Sequence, residues 1–393
     1  MRTLSLLIIF LLSVTTLFAQ KGKVTSALSY KEAGKLDKAI AAIEEAIDAA
    51  NPKTESSINW PRTWEVRGEI YQAVFQSKDE NYKKLHADPL AEAFKSYLKA
   101  IELDTKNKFS SSVRIKLQLL IHDLTSQAET AFNTQNYDVA LASFEQILAI
   151  EDAPVYKAES PNLVDTVIIY NAALTAYSAK KFDKAIGYYK IAAKYKYNGA
   201  QTYERLSESY LSKKDTTGAL EIMQQGLKDY PGNSTILVQL INIYEKANRL
   251  NEAMKYLDMA ISKEPNNESF YLFRGILLDR MNNSEEAIKS YLKAIELKPG
   301  NFDAFFNLGI VYYNLGVIQI DVANSVPSNQ PEKYEAEKVK ADLEFKKALP
   351  YLEKAHEIKT EDRSLLEALK NVYYRLQLLD KYEAMIESLK RMN

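Results

Sequence analysis

Apolar residues along this chain recur at helical rather than strand spacing. Between residues 269 and 299, Tyr271, Arg274, Gly275 and Leu278 share one helical face. Asn282-Asn283-Ser284 interrupts it, and Ala287, Tyr291 and Ala294 form a second stripe that ends before Pro299. The pattern predicts two helices per unit, with Ser284 as the cap of the second and Glu285 and Glu286 favouring its dipole. Gly275 and Ala287 let the two axes approach, and the ring of Tyr291 is expected in the wedge between neighbouring units. The unit repeats. Ala185, Ala219, Ala253 and Ala287 are each 34 residues apart, and so are Pro231, Pro265 and Pro299. Tyr210, Tyr244, Leu278 and Tyr312 keep that interval, as do Ala192, Gly226, Ala260 and Ala294. Four registers with one period define a tandem array.

The second-helix alanine anchors nine units, at Ala39, Ala93, Ala140, Ala185, Ala219, Ala253, Ala287, Ala348 and Ala384. The reading divides the chain into an export signal at 1–19, irregular repeats with insertions at 20–160, regular repeats at 161–301, and C-terminal repeats at 302–393. In the last segment, 314–323 continues a first helix, 325–331 is a loop with two prolines, and 332–357 is one long helix. Residues 76–89 form a smaller polar projection, and 110–125 lengthens another first helix. Lys381, Glu383, Glu387 and Lys390 give the final helix the polar face of a cap.

Phe305-x2-Leu308-Gly309-x2-Tyr312, Trp64-x2-Arg67-Gly68-x2-Tyr71, and Ala287-x3-Tyr291-x2-Ala294 with Pro299 together resemble the tetratricopeptide repeat, with Phe in place of Trp in the first and Arg in place of Leu in the second. The resemblance implies an all-α fold, a right-handed α-solenoid of about nine helix pairs with insertions. It also implies a concave surface, lined by first helices, that binds a protein or peptide partner. The family's best-known site clamps a terminal carboxylate with Lys and Asn at the fifth and ninth positions, and with Asn, Lys or Arg from later units. Here those positions hold Tyr170 and Leu174 in one unit and Phe306 and Ile310 in another, while Asn171 and Asn307 occupy the sixth. Arg205 is available in a further unit, but Gln201 stands where the clamp needs Lys. The charged clamp is incomplete. The candidate binding residues are therefore Tyr170, Asn171, Leu174, Tyr177, Arg205, Leu272, Ile276, Phe306, Asn307, Ile310 and Tyr313. Periodicity alone is equally compatible with a lined groove and with packing beneath the long insertion.

Composition narrows the function classes. The 393 residues carry 51 basic and 52 acidic side chains, a net charge of −1, which argues against a nucleic-acid partner. There is no cysteine, so disulfides, thiolate metal sites and cysteine nucleophiles are excluded. His86, His122 and His356 fall in different units and supply no ligand pair. Ser-x-x-Lys occurs at Ser96/Lys99, Ser178/Lys181 and Ser290/Lys293 without the companion motifs of penicillin-binding enzymes, and reads as solvated helix face. Neither enzymatic activity nor a cofactor or metal is expected. Arg2, the apolar run at 4–12 and the Ala19-Gln20 junction read as a signal peptide, with no transmembrane span expected in the mature chain. The expected protein is an exported scaffold or adaptor of a bacterial envelope, in the periplasm, secreted, or associated with the outer membrane. The alternatives are an accessory subunit that presents substrate to an envelope assembly or secretion machine, and a glycan- or peptidoglycan-binding module. Oligomeric state and partner identity are not legible.

Overall fold

A computed structural model describes residues 21–158 and 160–392, and every regular element among them is helical. The expected signal peptide lies outside the described residues. The chain divides into two compact units between Asp215 and Thr216. In the first, α1 (residues 21–32) pairs with α2 (Leu36–Ala46). A 3-10 turn at Pro52–Thr54 and the short α3 (Glu55–Ile58) lead to α4 (Pro61–Gln76). Helix α4 pairs across the short α5 (Glu80–Lys83) with α6 (Pro89–Leu103). The next pair is α7 (Ser110–Asn133) with α8 (Tyr137–Glu151). After the short α9 (Pro154–Lys157) come α10 (Thr166–Ser178), its partner α11 (Phe182–Lys194), and α12 (Ala200–Ser212), which packs on α11. The second unit opens with α13 (Thr216–Asp229). It continues as the pairs α14 (Ser234–Lys246) with α15 (Leu250–Lys263), and α16 (Glu268–Arg280) with α17 (Ser284–Leu297). The last pairs are α18 (Phe302–Asn324) with α19 (Pro331–Ile358), and α20 (Arg363–Arg375) with α21 (Leu379–Arg391). With α12 and α13 taken together in chain order, the described residues hold the nine pairs that the sequence anticipates.

The turns between paired helices share one construction. A residue in the left-handed region ends the first helix: Lys180 (φ 59°), Lys214 (φ 63°), Asn248 (φ 56°) and Asn282 (φ 59°), each 34 residues after the last. The next amide then donates back to a carbonyl five residues earlier: Lys181 to Ala176, Asp215 to Tyr210, Arg249 to Tyr244 and Asn283 to Leu278, at 2.8–2.9 Å. This closure satisfies carbonyls that the helix end would otherwise orphan. It also corrects the cap of α17. Asn283, not Ser284, sits at the N-cap, its side chain accepting the amide of Glu286, because the turn consumes Asn282 and leaves Ser284 already helical.

The small-residue registers close the pairs. A Cβ on Gly275 would lie 2.5 Å from the ring of Tyr291, one on Gly68 2.4 Å from Tyr97, and one on Gly309 2.5 Å from Leu352. Each glycine thus receives a large side chain from its own partner helix. Tyr291 also joins a cluster with Leu308 and Val311 of the following pair, so it fills the space within its hairpin as well as the wedge beyond it. Eight of the nine anchor alanines are fully buried, and Ala384 is exposed. In α21 the buried residues are Met385 and Leu389, so the helix is turned by one position to cover its larger apolar side chains.

The insertion at 314–347 lengthens the last repeat but one into a long hairpin of α18 and α19, with a turn at residues 325–330. Phe345, Ala348 and Leu352 of α19 build its core with Phe305, and Phe345 closes on Gly316. Helix α18 is also long and apolar enough, with a mean hydropathy of 1.2, to cross a membrane by length and composition, which the sequence reading did not anticipate. The 110–125 extension of α7 starts where Asp104 accepts the backbone amides of Lys108 (2.9 Å), Phe109 (2.7 Å) and Ser110 (2.8 Å) and the Ser110 hydroxyl. Burial opposes ionisation there, but these donors outweigh it and hold the carboxyl below its ordinary value.

Candidate binding surface

The five candidate residues of the first unit do not share one role. Asn171 and Leu174 of α10 border an open cavity of about 230 Å³, with Phe132, Asn133 and Glu129 of α7 and Phe144 of α8. Thr175 reaches the same wall but donates its hydroxyl to the Asn171 carbonyl at 2.7 Å. The amide groups of Asn171 and Asn133 are bonded to no other group among the described residues. Tyr170 is only 8% exposed. Its ring lies 5.4 Å from Tyr189 and 5.3 Å from Tyr197, so aromatic neighbours from α11 and the following turn cover it. Tyr177 is half-buried against Phe182 at 5.6 Å, and its hydroxyl lies 3.3 Å from Ser212 Oγ at the end of α12. Arg205 pairs with Glu208 at 3.0 Å. Burial lowers the proton affinity of its guanidinium, but the Glu208 carboxylate outweighs burial and raises it, so Arg205 is no free cation for a clamp.

Glu204, beside Arg205, has no hydrogen bond or ion pair among the described residues, and burial followed by the charge of Glu208 pushes its carboxyl up. The Tyr189 hydroxyl is buried without a hydrogen-bond partner, within electrostatic reach of Arg205 and Glu208. Sequence reasoning missed Phe132, Asn133, Glu129 and Phe144. A signal did exist: counted back from the buried Ala140 as Asn171 is from Ala185, Glu129 and Asn133 occupy the ninth and thirteenth positions of their unit.

Toward the N-terminus the first-helix face is occupied by ion pairs. Arg67, the departure from the Leu of the repeat signature, bonds Glu44 at 2.8 Å, Glu92 at 3.0 Å and Ser96 at 2.7 Å beneath the ring of Tyr71. Glu69 meets Lys31 at 2.5 Å and Lys116 at 3.4 Å. Gln72 and Gln76 donate to Asp123 at 2.6 and 2.8 Å. Each charge in this group has a partner, as a part-buried ionic group requires.

In the second unit Leu272 and Ile276 are half-buried against the cluster of Tyr291, Leu308 and Val311. Phe306, Ile310 and Tyr313 pack on the core of the long hairpin. Phe306 stacks on Phe302 at 5.7 Å, and Tyr313 meets Phe345 edge-on at 5.5 Å. Asn307 is half-buried beside Phe306. Tyr313 also borders an open cavity of about 240 Å³ with Val317, Ile320 and Tyr374.

Profiles described as "TPR repeat" and "Tetratricopeptide repeat" match residues 280–316, and 210–275, 170–234 and 23–52, respectively. The chain is 32% identical over 151 residues to "Protein O-mannosyl-transferase TMTC3" of Mus musculus, a match to 35% of this chain and 16% of that protein. It is 31% identical over 124 residues to "TPR repeat-containing protein MJ1428" of Methanocaldococcus jannaschii, covering 31% of this chain and 22% of that one. The chain therefore spans a small fraction of the length of these curated relatives. Among solved structures, it is similar to a TPR repeats protein (BF2334) from Bacteroides fragilis, with 26% identity, 65% of this chain and 98% of that one covered, and a TM-score of 0.33. It is also similar to YrrB, described as a TPR protein with an unusual peptide-binding site, with 22% identity, coverage of 54% and 95%, and a TM-score of 0.38.

Proposed function

The chain belongs to the tetratricopeptide-repeat family, and from that premise we propose that it is a non-enzymatic scaffold whose first-helix face holds a peptide segment of a partner protein. The cavity beside α10 carries this reading. Phe132, Phe144 and Leu174 offer apolar contact, and the free amides of Asn171 and Asn133 can pair with a peptide backbone whatever its sequence. Export to a bacterial envelope is part of the proposal, supported by the sequence of residues 1–20. Helix α18 is taken as one arm of a packed hairpin, because Gly309 and Gly316 seat Leu352 and Phe345 of its partner.

A photo-crosslinking residue placed at Asn171 in cells of the native host should trap a discrete protein, whereas the same residue at Gly187, on the exposed side of α11, should not. Equal trapping at both positions, or none at Asn171, overturns the reading. Leu174→Trp, which fills the cavity, should abolish trapping with the melting temperature unchanged.

A further inference from the structure

We propose that the cavity between α7, α8 and α10 takes an extended peptide with a cationic side chain next to an apolar one, the opposite polarity to a carboxylate clamp. The proposal rests on the peptide-binding reading above and adds the partner's charge. The apolar walls of Phe132, Phe144 and Leu174 suit one aliphatic or aromatic side chain. The surroundings decide the rest. The C-terminal part of α7 that lines the site (117–133), α8 (137–151) and α10 (166–178) contain no Lys or Arg; Arg114 and Lys116 lie further back on α7, Lys116 against Glu69 at 3.4 Å. The lysines that reach α8 from α11 and its preceding turn are already paired, Lys181 with Asp138 at 2.5 Å and Lys184 with Glu145 at 2.6 Å. Glu129 stays exposed in the cavity wall with no partner among the described residues.

The acidic character continues onto α12. Glu204 and Glu208 occupy the fifth and ninth positions of that unit, 34 residues after Tyr170 and Leu174. Arg205 forms its ion pair with Glu208, and Glu204 has none among the described residues. An anionic peptide would be repelled by Glu129 and Glu204 and would meet no free cation on these helices. A cationic one gains a charge-assisted hydrogen bond at either carboxylate.

The test is selection from a random peptide display library on the full chain, followed by titration of individual synthetic hits. The expected hits carry Lys or Arg beside Leu, Ile or Phe. Their affinity for the parent chain should fall as salt is raised, and it should fall at least about tenfold in Glu129→Lys with Glu204→Lys, the first residue exposed and the second half-buried. Leu174→Trp should abolish their binding, which assigns the hits to this cavity. Hits without charge bias, with acidic bias, or indifferent to either set of variants overturn the proposal and leave peptide binding in place. A library that yields no hits above an empty-surface control removes both readings.

Discussion

Gly275 and Gly187 are both helix-interior glycines with opposite surroundings. A methyl group on Gly275 meets the buried ring of Tyr291 at 2.5 Å, whereas one on Gly187 meets nothing within 4 Å. Gly275→Ala should therefore cost about 1–3 kcal/mol through overpacking. Gly187→Ala should gain about 0.5–1 kcal/mol from helix propensity. Urea midpoints of the two variants settle it, and a shift in the same direction for both would show that the glycine registers do not set interhelical contact. The left-handed turn residues make a second case. Lys180 and Lys214 adopt φ near 60° with a side chain attached, at a penalty of about 1–2 kcal/mol that glycine avoids. Set against the extra chain entropy glycine loses, Lys180→Gly and Lys214→Gly should each stabilise by about 0.5–1 kcal/mol. Thermal unfolding at fixed protein concentration reads this directly, and no rise in either variant would mean the turn geometry is held without strain.

At the end of α8, Glu151 is half-buried near Asp165 and Asp152, and burial followed by these two charges pushes its carboxyl up to about 7. The folded value lies above the ordinary 4.5, so the folded chain binds this proton more tightly than the unfolded chain does. Its contribution is fully present below about pH 4.5 and is lost as the pH rises through about 7. Glu151→Gln keeps the neutral shape, so its melting temperature relative to the parent should climb between about pH 5 and pH 8. A difference that stays flat with pH would place the proton elsewhere. The element pattern was legible from sequence because four side-chain registers repeat with one period, and even the 302–358 hairpin followed from its long helical stretches and two prolines. The turns were less legible, since Lys180 and Lys214 occupy positions where a reader looks for glycine. Of the residues proposed from sequence, Asn171 and Leu174 border the cavity. The burial of Tyr170 was not legible, because Tyr197, a loop residue on which helical periodicity is silent, helps to cover that ring. Phe132 and Phe144 escaped notice because their unit lies in the stretch where spacing departs from 34.

Across the whole molecule, the sequence of residues 1–20 sets one expectation: N-terminal sequencing of the protein purified from its native host should begin at or next to Gln20. Recovery of a cytosolic form that retains Met1 would defeat the proposed export. The repeated turn has a larger consequence. Asn248 and Asn282 are the same residue, in the same left-handed conformation, each followed by an amide that donates five residues back. Removing residues 248–281 would join Ala247 to Asn282 with local geometry that the second unit already uses. Such a shortened chain should keep its helical signal per residue and still unfold cooperatively, as nearest-neighbour stacking requires. Loss of cooperative unfolding would mean that distant pairs depend on one another. If the shortened chain folds, length itself becomes a variable that unequal recombination can change one whole unit at a time, without inventing a new junction.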